Sequence, residues 1–596
     1  MSLDKSKPRA GKDTQQPPLD FAVIRRVFAY TKSYARLRNT LILLVVTRSI
    51  QTPLVIWAIA AVISGPIARQ DPHGTLLGVA GFLALAAFTE FCFIYRSRLA
   101  LRLGEAVVHD LRNEIYAHLL ALPMSFFKRT QIGRLIGRVT ADVDAVRVGV
   151  QDVAFVSTVQ GGNMLISALL MLYYDWKLFL VVLTMAPILR LMIGHFRVKL
   201  SEAYRQQSES FSRVTATLAE SVNGIREIQG FVRQDVNGGL FGQLIYDHSK
   251  YNMSSARHSA VFLPLLEFNG QLFLAILLVV GGYQAIGHDV PLKALIQFLF
   301  LSNAFFSAIP TIGNQYNQAL TAMAGAERVF ALLDTTPDWK DAADAIALPP
   351  LDGKVEFREV SFGYLPGKTV LHEVSFAAEP GMTVALVGET GSGKSSIVNL
   401  AAKLYLPNSG AILLDGRDIR GVTSESLHKQ IGSVTQDNFL FSGSVLENIR
   451  LGRPQASDEE VRAAAAALGV ADLIEDLPGG FRAAVGEKGS GLSLGQRQVI
   501  CFARAMLADP RILILDEATS SVDALTEARL QGALAKLLRG RTSFVVAHRL
   551  STIRHADLVL VLAHGRVVER GSHRDLLAHG GRYASMYRQF VSSIDV

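Results

Sequence analysis

Long apolar stretches fill the first 330 residues or so and then stop. They lie near 41–64, 75–95, 153–174, 178–196, 260–282 and 292–312. Each is about 20 residues, the length that carries a helix across a hydrocarbon core of about 30 Å. Polar positions interrupt several of them, which predicts six membrane helices packed on one another rather than isolated anchors. Nine basic residues precede the first stretch; the connections that follow carry one, nine, one, eight and, counting Lys293 at its edge, one. This alternation is the positive-inside pattern and predicts both termini in the cytosol. The outer loops are short. The inner connections, about 96–152 and 197–258, are long and charged, and LRNEIYAHLLALPMSFF has apolar residues at helical spacing. The membrane helices are therefore expected to continue well into the cytosol.

The segment 333–352 is polar, contains three prolines and reads as a linker. Beyond it the texture changes. Short β-rich runs, KVEFREV, TVALVG, RILILD and SFVVAH, alternate with helical patterns, which predicts an α/β domain with a largely parallel sheet. The expected organisation is a cytosolic tail and lead-in helix over 1–38, an α-helical transmembrane domain over 39–325, a linker over 326–353 and an α/β nucleotide-binding domain with a helical subdomain over 354–596.

Composition agrees with this division. The chain is 49% hydrophobic and 19% charged, with a mean hydropathy of +0.27; soluble globular chains carry nearer a quarter charged residues. A net charge of +8 would suit nucleic acid, but the loop alternation accounts for it as a membrane protein's bias. Cys92 and Cys501 lie far apart and make neither a disulfide framework nor a metal cluster. The first 20 residues are polar and lack the apolar core of a signal peptide.

The chemistry sits in the second half. Gly388, Glu389, Thr390, Gly391, Ser392, Gly393, Lys394 and Ser395 fit G-x-x-x-x-G-K-[ST] between the strand-like TVALV and the helix-like SIVNLAAKL. In that setting the glycines let backbone N–H groups wrap phosphates, Lys394 places a charge at the β/γ-phosphates and Ser395 offers a hydroxyl to Mg²⁺. RILILDE ends in Asp516, placed for the metal, and Glu517, placed to orient and deprotonate water; a helix cap is the plainer reading of Glu517. His548 ends SFVVAH and Gln436 follows IGSVT, so both fall at strand ends beside the phosphates.

With these residues in view the chain resembles a half-size ATP-binding-cassette (ABC) exporter over nearly its whole length. SFGY, with Tyr364 lying 24 residues before Gly388, resembles the loop whose aromatic ring stacks on adenine. Gln436 resembles the Q-loop glutamine, and LFSGSVLENI and VGEKG resemble exporter-type segments. LSLGQ resembles the family signature, SSVD the D-loop ending at Asp523, and His548 the switch histidine. The signature departs at Leu494, where glycine is commonest, and Lys488 stands where arginine is usual. The resemblance implies ATP and Mg²⁺ as cofactors, with Tyr364, Gly388–Ser395 and Ser396 around the nucleotide and Ser395, Gln436 and Asp516 around the metal. It implies Glu517, His548 and Gln436 as catalytic groups. It also implies that Ser493, Gly495 and Gln496 close over the ATP held by a partner chain, so that two copies, or this chain and a related half-transporter, form two sites.

FFKRTQIGRLIGRVTADVD and SVNGIREIQGFVRQD resemble the two cytosolic coupling regions of exporters, the second of which docks on the partner; membrane-surface anchoring is the other reading. The expected activity is ATP-driven export or flipping of an amphipathic lipid or drug-like molecule, in a bacterial inner membrane, without nucleic acid. An ATP-gated regulatory protein and an importer stay open. Arg48, Gln51, Gln160, Asn163, Arg190, Glu267, Asn269, Gln271 and Asn303 interrupt the spans. Glu267 is expected to meet a cationic substrate group, pair with Arg190 or sit at the membrane surface.

Overall fold

A computed structural model describes residues 20–287, 291–365, 367–516, 524–547 and 553–592. The chain forms two compact units. The first comprises residues up to Leu120 and Gly133–Thr335; the second comprises Ala121–Ile132 and the residues from Thr336 onward.

The first unit is helical. An amphipathic lead-in, α1 (Phe21–Tyr30), precedes α2 (Ala35–Val62), α3 (Pro72–Ala121), α4 (Ala154–Tyr174), α5 (Trp176–Asn223), α6 (Gln234–Ile286) and α7 (Leu292–Leu333). Among the described residues six helical stretches of 42 to 53 residues are long and apolar enough to cross a membrane. A 50-residue helix is about 75 Å long, far beyond the bilayer core, so the extension foreseen from the loop lengths is present. The connection between α4 and α5 is tight because Asp175 ends one and caps the other, accepting from the N–H groups of Lys177 and Leu178 at 2.7 and 2.9 Å. Leu178, Phe273, Leu277, Leu295, Phe298 and Leu301 form a buried cluster shared by α5, α6 and α7. Arg48 on α2 is structurally committed. Its guanidinium donates to the Thr89 carbonyl at 2.8 Å, lies 3.9 Å from Glu90 and covers the Phe93 ring.

The second unit contains two main sheets. Strands β1 (Val355–Phe362), β2 (Leu371–Ala378), β4 (Ser409–Leu414) and β5 (Arg417–Asp418) make an antiparallel sheet in the order β2-β1-β4-β5. The second has the order β12-β11-β3-β10-β9-β6. It uses β3 (Thr383–Gly388), β6 (Ile431–Val434), β9 (Ile512–Asp516), β10 (Thr542–Val546), β11 (Leu558–Ala563) and β12 (Arg566–Gly571). Only β12 runs antiparallel there. The short pair β7 (Gly443–Ser444) and β8 (Ala484–Val485) stands apart. β3, β9 and β10 are almost wholly buried, as strands covered on both faces are, and all but Thr542 and Ser543 of their interior positions are apolar. Phe357, Phe376, Leu386, Ile512 and Phe544 join the two sheets in one core. A second core packs Ile449, Val461, Leu468, Phe502 and Leu537 beneath a helical region.

Residues 394–401 form α8 (Lys394–Ala401), which ends three residues short of the helical run expected to Leu404. Lys403, two residues past the helix end, takes a positive φ of 51° and is 1% exposed.

Candidate phosphate and nucleotide site

In a parallel sheet the carboxyl ends of adjacent strands open together, and ligands bind at that edge. Here β3 delivers Gly388, β9 delivers Asp516 and β6 leads two residues later to Gln436. The loop after β3 closes on itself: Ser392 N–H donates to the Glu389 carbonyl, and the Lys394 ammonium donates to the carbonyls of Gly388 and Glu389 at 2.7 and 3.0 Å. Gly393 precedes α8 with φ 105°, and a Cβ there would meet Leu371 Cδ2 at 2.5 Å. A Cβ on Gly388 would stand 2.4 Å from the Leu562 carbonyl oxygen.

This loop has the electrostatics of an anion site. Burial pushes the Lys394 ammonium below its ordinary range, and Asp516 opposes that only in part. Among the described residues Ser392 Oγ is buried without a hydrogen-bond partner. Ser395, Thr390 and Gly391 face solvent. A polyanion seated here would compensate the buried ammonium, satisfy Ser392 and receive the N–H groups at the start of α8. The residues present therefore fit a nucleotide's phosphates. The Glu389 carboxylate belongs elsewhere: it pairs with Arg582 at 2.9 Å, leaving its carbonyl to Lys394.

Tyr364 is held beside the loop. Its hydroxyl lies 3.1 Å from Ser396 Oγ and accepts from Asn399 Nδ2 at 3.2 Å, and its ring meets Phe362 and Tyr405 edge-on. Lys128 and Arg129, from the short helix Met124–Arg129, join it: Lys128 Nζ stands 4.6 Å from the ring centroid, and Arg129 donates to the Tyr364 carbonyl at 3.1 Å. The sequence pattern did not point to this pair.

The structure thus brings together Tyr364, Ser396, Gly388–Ser395 and Asp516, with Gln436 exposed at the same strand edge. Ser493, Gly495 and Gln496 stand apart at the start of α9 (Leu494–Ala508). Ser493 accepts from Gln496 N–H while Gln496 Oε1 accepts from Ser493 N–H at 2.8 Å, a reciprocal cap. None of these hydrogen bonds reaches Gly388–Ser395. The S-x-x-Q spacing was available in the sequence as a helix-start signal. Glu517, Asp523 and His548 lie outside the described residues.

Comparison with known proteins matches two family models: the ABC transporter transmembrane region over residues 39–309 and ABC transporter over residues 371–520. An uncharacterized ABC transporter ATP-binding protein of Bacillus subtilis, YknV, is 35% identical over 97% of this chain and 96% of its own length. An ATP-dependent lipid A-core flippase of Syntrophus aciditrophicus is 35% identical over 83% of this chain and 82% of its own. A fatty acid ABC transporter ATP-binding/permease protein of Mycobacterium bovis is 37% identical over 80% of this chain and 75% of its own.

Proposed function

The chain belongs to the ABC transporter family, as an exporter whose ATPase is coupled to transport, and from that premise we propose that it exports or flips an amphipathic lipid or drug-like molecule as a dimer with two ATP sites. The observation that carries the reading is a single polypeptide with six membrane-length helices, polar positions inside them, and a buried lysine in a phosphate cradle. The names of the flippase and the fatty acid transporter support a lipid-like cargo.

In this reading residues 39–325 form the path and 354–596 the motor, joined by 326–353. Tyr364 offers its ring to adenine, the loop Gly388–Ser395 holds the phosphates with Ser396 behind it, and Lys394 meets the β/γ-phosphates. Ser395, Gln436 and Asp516 would hold Mg²⁺, which when bound neutralises charge on the phosphate oxygens. Glu517 takes a proton from the attacking water, and His548 contacts the terminal phosphate. Ser493, Gly495 and Gln496 present the start of α9 to the partner's phosphates. The tip of the second cytosolic loop supports a partner: Phe231 and Val232 are 76% and 81% exposed in the single chain, and a second copy would cover them. Both termini lie in the cytosol of a bacterial cell, with the helices in its inner membrane.

The test is ATPase activity of the pure chain in lipid beside Glu517→Gln. Removal of a general base is expected to lower turnover by about 10²-fold or more. Equal turnover in the two proteins would remove Glu517 from its role. A folded but silent wild type would require a second, related subunit. Accumulation of a labelled amphipath in inside-out vesicles is expected to need ATP; ATP-independent flux would favour gating.

A further inference from the structure

Glu267 belongs to a cavity that the nucleotide chemistry does not use. The cavity measures about 270 Å³ and lies between α6 and α7, with Leu189 of α5 at its wall. Glu267, Asn269 and Gln271 enter from α6, and Asn303, Phe306 and Ser307 from α7. A second cavity adjoins it through Leu274, Asn303 and Ser307 and reaches Asn163 on α4 and Thr52 on α2. Glu267 sits seven residues past the start of its apolar stretch at 260, roughly 10 Å inside the membrane boundary.

The walls are rich in acceptors. Asn269 is 6% exposed and Asn163 5%, and among the described residues the side-chain oxygen of each is buried without a hydrogen-bond partner. Pro310 lines the first cavity and has no N–H, so the carbonyl of Phe306, four residues earlier, lacks its helical donor. No Lys, Arg or His is among the described residues that line either cavity. Arg190 does not neutralise Glu267: among the described residues neither takes part in an ion pair. A carboxylate at membrane depth without a partner is costly and marks a cavity or a path. Orphaned buried acceptors add to that cost unless a donor arrives.

We propose that this cavity is the subsite for the head of the transported molecule, and that the head is cationic, an ammonium, phosphonium or guanidinium group carried on an apolar body. The proposal rests on the export reading above and narrows its substrate class. Glu267 supplies the opposite charge, Asn269 and the Phe306 carbonyl accept from N–H groups where the head has them, and the apolar remainder of the helices takes the body.

The test uses two hydrophobic ions of matched size and opposite charge, tetraphenylphosphonium and tetraphenylborate. Saturable binding of each to the full chain in lipid nanodiscs is measured against empty nanodiscs, with ATPase activity of the same preparation recorded separately. Wild type is expected to bind the cation at least tenfold more tightly than the anion. Glu267→Gln is expected to lose that preference and Glu267→Asp to keep most of it. Asn303→Asp adds a carboxylate to the same walls and is expected to strengthen the preference, so the test still decides if Glu267→Gln fails to fold. Equal binding of the two ions to wild type, or an undiminished preference in folded Glu267→Gln, overturns the subsite. Absent ATPase activity in a chain that still prefers the cation would instead count against the export reading alone.

Discussion

At the scale of single residues, the contact between Lys128 and Tyr364 is the least expected. The ring proposed to carry adenine has an ammonium 4.6 Å from its centroid, a geometry worth about 0.5–2 kcal/mol. Loss of that cation should free the ring to leave its pose. Lys128→Met is expected to raise the KM for ATP about fivefold, the equivalent of about 1 kcal/mol, with kcat little changed and Lys128→Arg restoring the wild-type value. Steady-state ATPase kinetics check this, and an unchanged KM would reduce the contact to packing. Such a pair is invisible in the sequence, because the neighbouring Arg129 and its partner Tyr364 are 235 residues apart and neither type is rare. The cradle was legible because its chemistry is local: the glycines, Lys394 and Ser395 fall within eight consecutive positions. What the motif does not show is the use of the Glu389 side chain, whose carboxylate pairs with Arg582 while its backbone stays in the loop beside Lys394.

At the scale of elements, periodicity and apolar length named the helices and strands well, and hydrogen bonding decided their ends. The stretch 333–352 reads as a plain linker, yet Asp341 within it accepts from Lys403 Nζ at 2.8 Å and from Ser424 N–H and Oγ at 2.7 Å each. Lys403 is 1% exposed and also lies near the Trp339 ring. Composition marks such a segment as loose; only the fold supplies the buried ammonium that pins it. Burial raises the Asp341 carboxyl, but hydrogen bonds from Lys403 and Ser424 outweigh this and hold it below the usual range. A carboxyl lowered in the folded state stabilises above its unfolded value, near 3.9, and that contribution fades as pH falls through the lower folded value. The clamp should therefore hold at neutral and mildly acidic pH. Asp341→Asn leaves the buried lysine without its counter-charge; because Asp341 is partly exposed, a loss of about 2 kcal/mol is expected. Trp339 emission should shift to the red in that variant at pH 7, and an unshifted spectrum with an unchanged Tm would show that the linker is held by its other contacts.

At the scale of the whole molecule, one cradle and one signature per chain make the arrangement of copies decisive. If the start of α9 serves the partner's phosphates, a dimer carrying Lys394→Ala on one chain and Ser493→Arg on the other collects both lesions in one site and keeps the second intact. Placing both lesions on one chain beside a wild-type partner damages both sites. Nucleotide retained per purified dimer should be about one in the first case and near none in the second, and the reverse result would assign each signature to its own chain. The division of the chain into two units has another outcome. Ala121–Ile132 lies inside the helical sequence yet clusters with the C-terminal unit, whose first strand begins at Val355. At a synthesis rate of about 5–20 residues per second, on the order of ten seconds or more separates that segment from the strands it folds against. During that interval Lys128 and Arg129 lack the Tyr364 ring and carbonyl they hold in the finished fold. A packing site made in the first quarter of the chain is thus completed only by its last two-fifths.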